Sequence, residues 1–159
     1  IETRADAEAV VRAAKYQPLG MRGISFYTRA GDYVVHGQQG ITDRLNKEQI
    51  VIIHIEGQRG LANLEEIVTV PNIDVIFLGP YDLSQSFGIP GQVNDPRVVQ
   101  GMEKAVKAIR AAGKFAGTFA GNPEAAKRWV GAGVQYISLG VDVGIFADAC
   151  RNLLQQAKG

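Results

Sequence analysis

Two acidic residues stand directly after apolar runs, in a pattern that suits metal binding. Glu56 closes the run Val51–Ile55, and Asp82 follows Val75–Leu78 after a Gly-Pro pair. The carboxyl ends of the strands carry the active site in parallel α/β barrels. If the two runs are neighbouring strands, both carboxylates converge on one face, where two hard oxygen ligands with open positions suit Mg²⁺ or Mn²⁺, with Co²⁺ a further candidate. Glu56 alone could equally be a solvated loop residue or a capping partner, and Asp82 favours the metal interpretation.

His54 is a third polar residue in the same place. It lies two residues before Glu56, and the period of two in a strand points both side chains to the same side. A nearby cation disfavours the protonated ring, so we expect a neutral imidazole that donates a hydrogen bond to the substrate. The alternative is a core histidine that is hydrogen-bonded inside the barrel.

Lysine placement bears on a rival chemistry, covalent catalysis through a Schiff base. That mechanism needs an amine near the carboxyl ends of the strands. Lys47 and Lys114 precede apolar runs, which is the wrong end, and Lys104, Lys107 and Lys127 fall on predicted helices. The sequence therefore favours metal chemistry over imine chemistry.

The elements that must position these residues are indicated by apolar runs and capping signals. Four β-branched apolar runs are predicted as buried strands: Ile50–Ile55, Val75–Leu78, Phe115–Phe119 and Val134–Leu139. Helices are predicted over 4–15, from Pro96 to Gly113, from Pro123, and over about 144–157. The stretch from Gln17 to Lys47, with Gly20, Gly23, Gly31, Gly37 and Gly40 among polar residues, is predicted to be a long irregular excursion. Trp129 and Tyr136 are predicted to be core, and Cys150 a packed or interface residue.

Alternating strands and helices call for a parallel sheet, and hence for an α/β fold. An open doubly wound sheet is one solution, but no strand is followed by the glycine-rich phosphate loop that a nucleotide fold needs. Half of a barrel fits better.

The sequence resembles the HpcH/HpaI aldolases, class II metal-dependent pyruvate aldolases related to 4-hydroxy-2-oxoheptanedioate aldolase. The resemblance covers essentially the whole chain. It is carried by Ile1-Glu2-Thr3, His54-Ile55-Glu56, Asn63-Leu64 with Ile67, Gly79-Pro80-Tyr81-Asp82-Leu83-Ser84, Gly117 to Asn122, and Gly140-Val141-Asp142. The hexapeptide Gly79–Ser84, preceded at about 25 residues by the strand acid, is its most specific element.

The resemblance implies the C-terminal portion of a (β/α)₈ TIM barrel of the phosphoenolpyruvate/pyruvate type, with about four full strands. Residues 1–159 would form one part of a single domain, with the N-terminal barrel units, and the family's catalytic histidine and arginine, absent from this sequence. The implied site comprises the metal ligands Glu56 and Asp82 and the substrate-binding residues His54, Gly79, Pro80, Tyr81, Asp82, Phe119 and Val141. The backbone around Tyr81 and Asp82 would receive the pyruvate carboxylate. Phe119 and Val141 would shape the aldehyde side, or else are ordinary core residues.

By this resemblance the expected function is a lyase that cleaves 2-oxo-4-hydroxy acids into pyruvate and an aldehyde. Three alternatives remain open: a CoA-thioester lyase of the citrate-lyase β type, an oxaloacetate decarboxylase, and a non-catalytic half-barrel interaction module.

Composition limits the partners and the compartment. Seventeen basic and sixteen acidic residues give a net charge of +1, without a run of one sign, so neither nucleic acid nor a membrane surface is expected as a partner. A small 2-oxoacid is expected instead. One cysteine fits a reducing compartment, and the cytoplasm is expected. A half-barrel exposes strand edges, which predicts a homo-oligomer, a chain that supplies the N-terminal half, or both.

Overall fold

The computed structural model describes residues 1–31, 33 and 39–158. Its elements are α1 (Arg4–Ala14), α2 (Ile41–Glu48), β1 (Ile52–Ile55), α3 (Gln58–Ala62), α4 (Leu64–Ile67), β2 (Val75–Leu78), α5 (Pro80–Ser86), α6 (Pro96–Ala111), β3 (Phe115–Ala120), α7 (Pro123–Gly131), β4 (Tyr136–Leu139) and α8 (Asp142–Lys158), with a 3₁₀ turn at Arg29–Gly31. The predicted alternation of strands and helices is confirmed.

The four strands form one parallel sheet in the order β1-β2-β3-β4. Each strand therefore pairs with the next one along the chain, and the order never reverses. A doubly wound sheet reverses its strand order and carries helices on both faces. Here the sequential order gives the arc of a barrel, so the predicted α/β fold class is confirmed.

One face of the sheet, the outer face, carries the core. Ile55, Ile76 and Leu78 point to it and are fully buried, and they belong to one apolar cluster with residues of α1, α4 and α6. From α6 that cluster takes Val98, Met102, Ala105, Val106 and Ile109. These residues recur at helical spacing, so α6 lays one continuous apolar stripe on the strands.

Helices α1, α6 and α7 each begin with a side-chain cap. The Thr3 side chain accepts from the Asp6 backbone N–H, and Asp6 returns a bond to the Thr3 backbone N–H, which completes the capping box of α1. Asp95 caps α6 and Asn122 caps α7, and in both helices proline follows at the first helical position.

The opposite face, the inner face, is covered differently from what a bare half-barrel predicts. Phe77 is buried, although it points to this face, because its ring lies between the rings of His54 and Tyr136. Gly117 lies beneath, and a Cβ there would approach the Phe77 ring to 3.0 Å and the Tyr136 ring to 3.1 Å. Phe77 is therefore shielded from water although it lies on the inner face. Tyr136 was predicted to be core but is 44% exposed, because it belongs to the edge strand β4.

Part of the stretch Gln17–Lys47 is helical. It contains the 3₁₀ turn and most of α2, whose buried Asn46 accepts from the Tyr16 backbone N–H at 2.8 Å and donates to the Tyr16 carbonyl at 3.0 Å. This two-way amide bond ties α2 to the end of α1. Gly37 lies outside the described residues.

Helix α8 follows β4 and is largely exposed in the described chain. None of its 17 residues is buried. Val143, Phe146 and Leu153 are each more than 60% exposed, and Cys150 is half-buried. Among the described residues, no helix combines the length and the apolar character needed to cross a membrane.

Candidate metal and oxoacid site

Glu56 stands at the carboxyl end of β1, as predicted, with its side chain against Gly79. A Cβ built on Gly79 would lie 2.8 Å from both Cγ and Oε1 of Glu56. Real Cβ contacts are never this short, so only glycine leaves room for the carboxylate here. The Gly79 N–H also donates to the Ile55 carbonyl at 3.2 Å, which ties the end of β2 to the end of β1.

Asp82 lies in the first turn of α5. The Gly-Pro pair before it starts this helix, with Gly79 as the N-cap and Pro80 at the first position. Helix α5 follows β2 directly, so Asp82 and Glu56 come from the ends of adjacent strands. An acid in the first turn also interacts favourably with the helix dipole.

Ser84, the last residue of the hexapeptide, has a structural task that the motif does not reveal. Its fully buried hydroxyl donates to the Tyr81 carbonyl at 2.6 Å and accepts from the Gly91 backbone N–H at 2.9 Å. It thereby ties the first turn of α5 to the loop before α6.

His54 is half-exposed on the inner face, where it contacts Glu56 and Phe77. Its ring stacks on that of Phe77 with centroids 4.6 Å apart and planes 20° from parallel. Its Nδ1 lies 3.1 Å from Oε1 of Glu56. The predicted orientation of His54 and Glu56 to the same side is thus what the structure shows.

Three predicted substrate residues lie at the same edge of the sheet. The Tyr81 and Phe119 rings are 6.0 Å apart, and both border a small cavity of about 50 Å³ that also reaches Pro80 and the buried Trp129. Val141 follows β4, and its side chain is half-exposed. It shares this edge because the preceding Gly140 donates its N–H to the Ala120 carbonyl at the end of β3.

Two lysine ammonium groups, those of the partly buried Lys114 and the buried Lys15, lie at the opposite edge. Nζ of Lys114 donates to the carbonyls of Val70 and Ile73 at 2.8 and 2.9 Å, just before β2 and β3. Burial lowers the pKa of Lys114, against the opposing charge of Asp74. Lys15, which was not among the lysines considered from the sequence, is 3% exposed and donates to the carbonyls of Asn46 and Gln49 before β1.

The donor set at the carboxyl edge suits an ion that keeps open positions. Within residues 1–31, 33 and 39–158, no three or more His, Cys, Asp or Glu side chains gather into a ready metal cage. Mg²⁺ and Mn²⁺ are commonly held by one or two carboxylates plus water and substrate. Glu56 and Asp82, with Gly79 leaving space beside Glu56, fit that arrangement.

A sequential parallel sheet with acids at its carboxyl edge defines part of a (β/α)₈ barrel enzyme fold. A profile of the HpcH/HpaI aldolase/citrate lyase family matches residues 1–149, and the chain belongs to this family.

Individual relatives agree with this assignment. The chain is 36% identical over 154 residues to the hydroxypyruvate/pyruvate aldolase of Cupriavidus necator, covering 96% of this chain and 56% of that protein. It is 34% identical over 160 residues to the 2-keto-3-deoxy-L-rhamnonate aldolase of Escherichia coli K12, covering 99% and 59%. The chain thus spans less than three-fifths of these curated relatives.

A solved structure shows the same fold. The HpcH/HpaI aldolase/citrate lyase family protein from Burkholderia cenocepacia superposes with a TM-score of 0.92 at 32% identity, over 100% of this chain and 63% of that one. The four-stranded arc therefore corresponds to part of a larger barrel in that protein.

Proposed function

We propose that this chain forms part of a divalent-metal-dependent pyruvate aldolase, which splits 2-oxo-4-hydroxy acids into pyruvate and an aldehyde. The observation that carries the proposal is the pair Glu56 and Asp82 at adjacent strand ends, with Gly79 leaving space for the Glu56 carboxylate. Two relatives that are named as aldolases, and whose similarity covers nearly the whole of this chain, support the proposal.

In this proposal Glu56 and Asp82 hold Mg²⁺, Mn²⁺ or Co²⁺. The bound cation would supply Lewis-acid polarisation of the 2-oxo group of the substrate. The backbone around Tyr81 and Asp82 receives the substrate carboxylate, since the first turn of a helix has N–H groups without intrahelical partners. Tyr81, Phe119 and Val141 line the side that the aldehyde occupies. Cytoplasmic location and homo-oligomeric assembly stay predictions.

A coupled assay on the natural protein tests the activity. The enzyme is stripped with EDTA, given 2-oxo-4-hydroxy acids of different chain length, and pyruvate is followed with lactate dehydrogenase. We expect no pyruvate until Mn²⁺ or Mg²⁺ is restored. Pyruvate formation that is equally fast in EDTA would contradict the proposal.

The family also includes citrate lyases, so the same assay includes rival substrates. Oxaloacetate reports decarboxylation through pyruvate release, and cleavage of a CoA thioester of a hydroxy acid, the citrate-lyase type of reaction, is measured by release of acetyl-CoA. Faster turnover of either one than of every 2-oxo-4-hydroxy acid would replace the aldolase assignment.

A further inference from the structure

The flexible Glu56 side chain lies beside Gly79, which leaves room for it, and the His54 imidazole contacts it, with Nδ1 3.1 Å from Oε1. The Glu56 side chain is 41% exposed, so burial alone does not fix it. Among the described residues, His54 is its hydrogen-bonding side-chain partner.

The direction of this hydrogen bond follows from the chemistry of the two groups. An ionised carboxylate can only accept. Nδ1 of His54 therefore carries the proton and donates to Oε1 of Glu56. In the neutral ring this leaves Nε2 as an acceptor, so the ring has no N–H left for the substrate.

The ring itself is held in place by its stacking. His54 lies nearly parallel to Phe77, and Phe77 meets Tyr136 edge-on with centroids 6.2 Å apart. Gly117 leaves room for the Phe77 and Tyr136 rings, which a Cβ there would approach to 3.0 and 3.1 Å. The rings of His54, Phe77 and Tyr136 form an aromatic layer on the inner face. This layer fixes the direction in which Nδ1 of His54 points.

From this geometry we propose that His54 is a positioning residue for Glu56, and not a donor to the substrate. The Nδ1–H of His54 donates to Oε1 of Glu56, and Oε2 of Glu56 then faces the cation. This inference rests on the proposed metal site. Partners that orient a metal ligand in this way are typically worth 10–100-fold in metal affinity.

Asparagine and glutamine substituted for His54 distinguish a donor at Nδ1 from a donor at Nε2, because their amide nitrogens lie at different distances from the backbone. The amide nitrogen of asparagine is as many bonds from the backbone as Nδ1 of histidine, and that of glutamine as many as Nε2. We therefore compare His54→Asn, His54→Gln and His54→Ala in the natural protein by Mn²⁺ titration, with free Mn²⁺ read by electron paramagnetic resonance. We expect His54→Asn to stay within about threefold of wild type, and the other two variants to lose about 10–100-fold in affinity.

A reversed order, with glutamine restoring affinity and asparagine not, would show that Nε2 is the working atom and would overturn the inference. Wild-type affinity in all three variants would overturn it as well. Two-bond ¹H–¹⁵N spectra of the metal-free protein give a second readout. They should show the proton of His54 on Nδ1, and a ring protonated only at Nε2 would contradict the inference.

Glu56→Gln distinguishes failure of this inference from failure of the proposed function. If Glu56→Gln keeps wild-type Mn²⁺ affinity, the metal site itself is wrong. If Glu56→Gln loses affinity while the His54 variants do not, only the positioning role fails. Thermal unfolding of every variant identifies any loss of affinity that comes from loss of the fold.

Discussion

At the scale of single residues, Gly79 is the position where one methyl group decides the geometry of the site. Its φ of −88° is ordinary for any residue, so backbone strain does not require glycine there. The requirement comes from Glu56, whose Cγ and Oε1 would both lie 2.8 Å from a Cβ. Because the glutamate side chain can rotate away, the change should damage the site more than the fold.

We predict that Gly79→Ala lowers Mn²⁺ affinity at least about tenfold, as removal of support for a metal ligand does, and leaves the unfolding temperature almost unchanged. Gly101→Ala is the matched control. A Cβ there meets only Leu61 Cδ1 at 3.4 Å, and the change should stabilise α6 by roughly 0.5–1 kcal/mol without altering metal binding. Wild-type affinity in Gly79→Ala would remove the steric argument.

Lysine chemistry gives a second prediction at this scale. The ammonium groups of Lys15 and Lys114 are each bound to two carbonyls at the amino ends of the strands. Neither can reach a carbonyl substrate at the opposite edge. Borohydride added with pyruvate should therefore leave no covalent adduct, and intact mass should stay unchanged. A reduced pyruvate adduct mapped to any lysine would reverse the choice between metal and imine chemistry.

At the scale of elements, strands and long capped helices were predictable because their signals are local. Asp95-Pro96 and Asn122-Pro123 mark helix starts within two residues, and Val75–Leu78 is a strand with the predicted bounds. The missed helices α2 to α5 have four to eight residues. That length is too short for a helical period to show in a sequence.

The site divides in the same way. The placement of Glu56 and Asp82 at strand ends followed from the apolar runs before them. The Gly79–Glu56 contact and the direction of the His54 ring did not, since both depend on how neighbouring strands are staggered. His54 was predicted to donate to the substrate, and its 3.1 Å approach to Glu56, on which the positioning role proposed above rests, was not predicted from the sequence.

Substitution of Gly117 tests how tightly the aromatic layer packs on the sheet. An added Cβ would lie 3.0 Å from the Phe77 ring and 3.1 Å from the Tyr136 ring. Overpacking of this kind typically costs 1–3 kcal/mol. We therefore predict that Gly117→Ala lowers the free energy of unfolding by about 1–3 kcal/mol in urea titrations. An unchanged or raised unfolding midpoint would show that the rings move aside freely.

At the scale of the whole molecule, large apolar side chains are exposed on two surfaces of the described part of the chain. One is the rim of the inner face, with Phe115 and Tyr136 at 50% and 44% exposure, and the other is α8 with Val143, Phe146 and Leu153. Each large apolar side chain left in water forgoes roughly 1.5–3 kcal/mol of burial. Exposed apolar patches are typical of interfaces.

We predict that residues 1–159 expressed alone self-associate or lack a cooperative melt. Sedimentation velocity measures the association, and calorimetry measures the melt. Phe146→Ser together with Leu153→Ser should reduce association if α8 contributes to it. A monodisperse monomer with one sharp thermal transition would show that these surfaces are tolerated in water.

The central claim is that Glu56 and Asp82 hold a catalytic divalent cation, and Mn²⁺ titration of Glu56→Gln and Asp82→Asn in the natural protein tests it most directly. Each amide removes a full negative charge from a site with two acidic ligands, so we predict that both variants lose Mn²⁺ binding and metal-dependent pyruvate formation together. Glu8→Gln, on the exposed face of α1, is the control for loss of one surface carboxylate and should bind as wild type. Unchanged Mn²⁺ affinity in either site variant, with the fold intact, would contradict the claim.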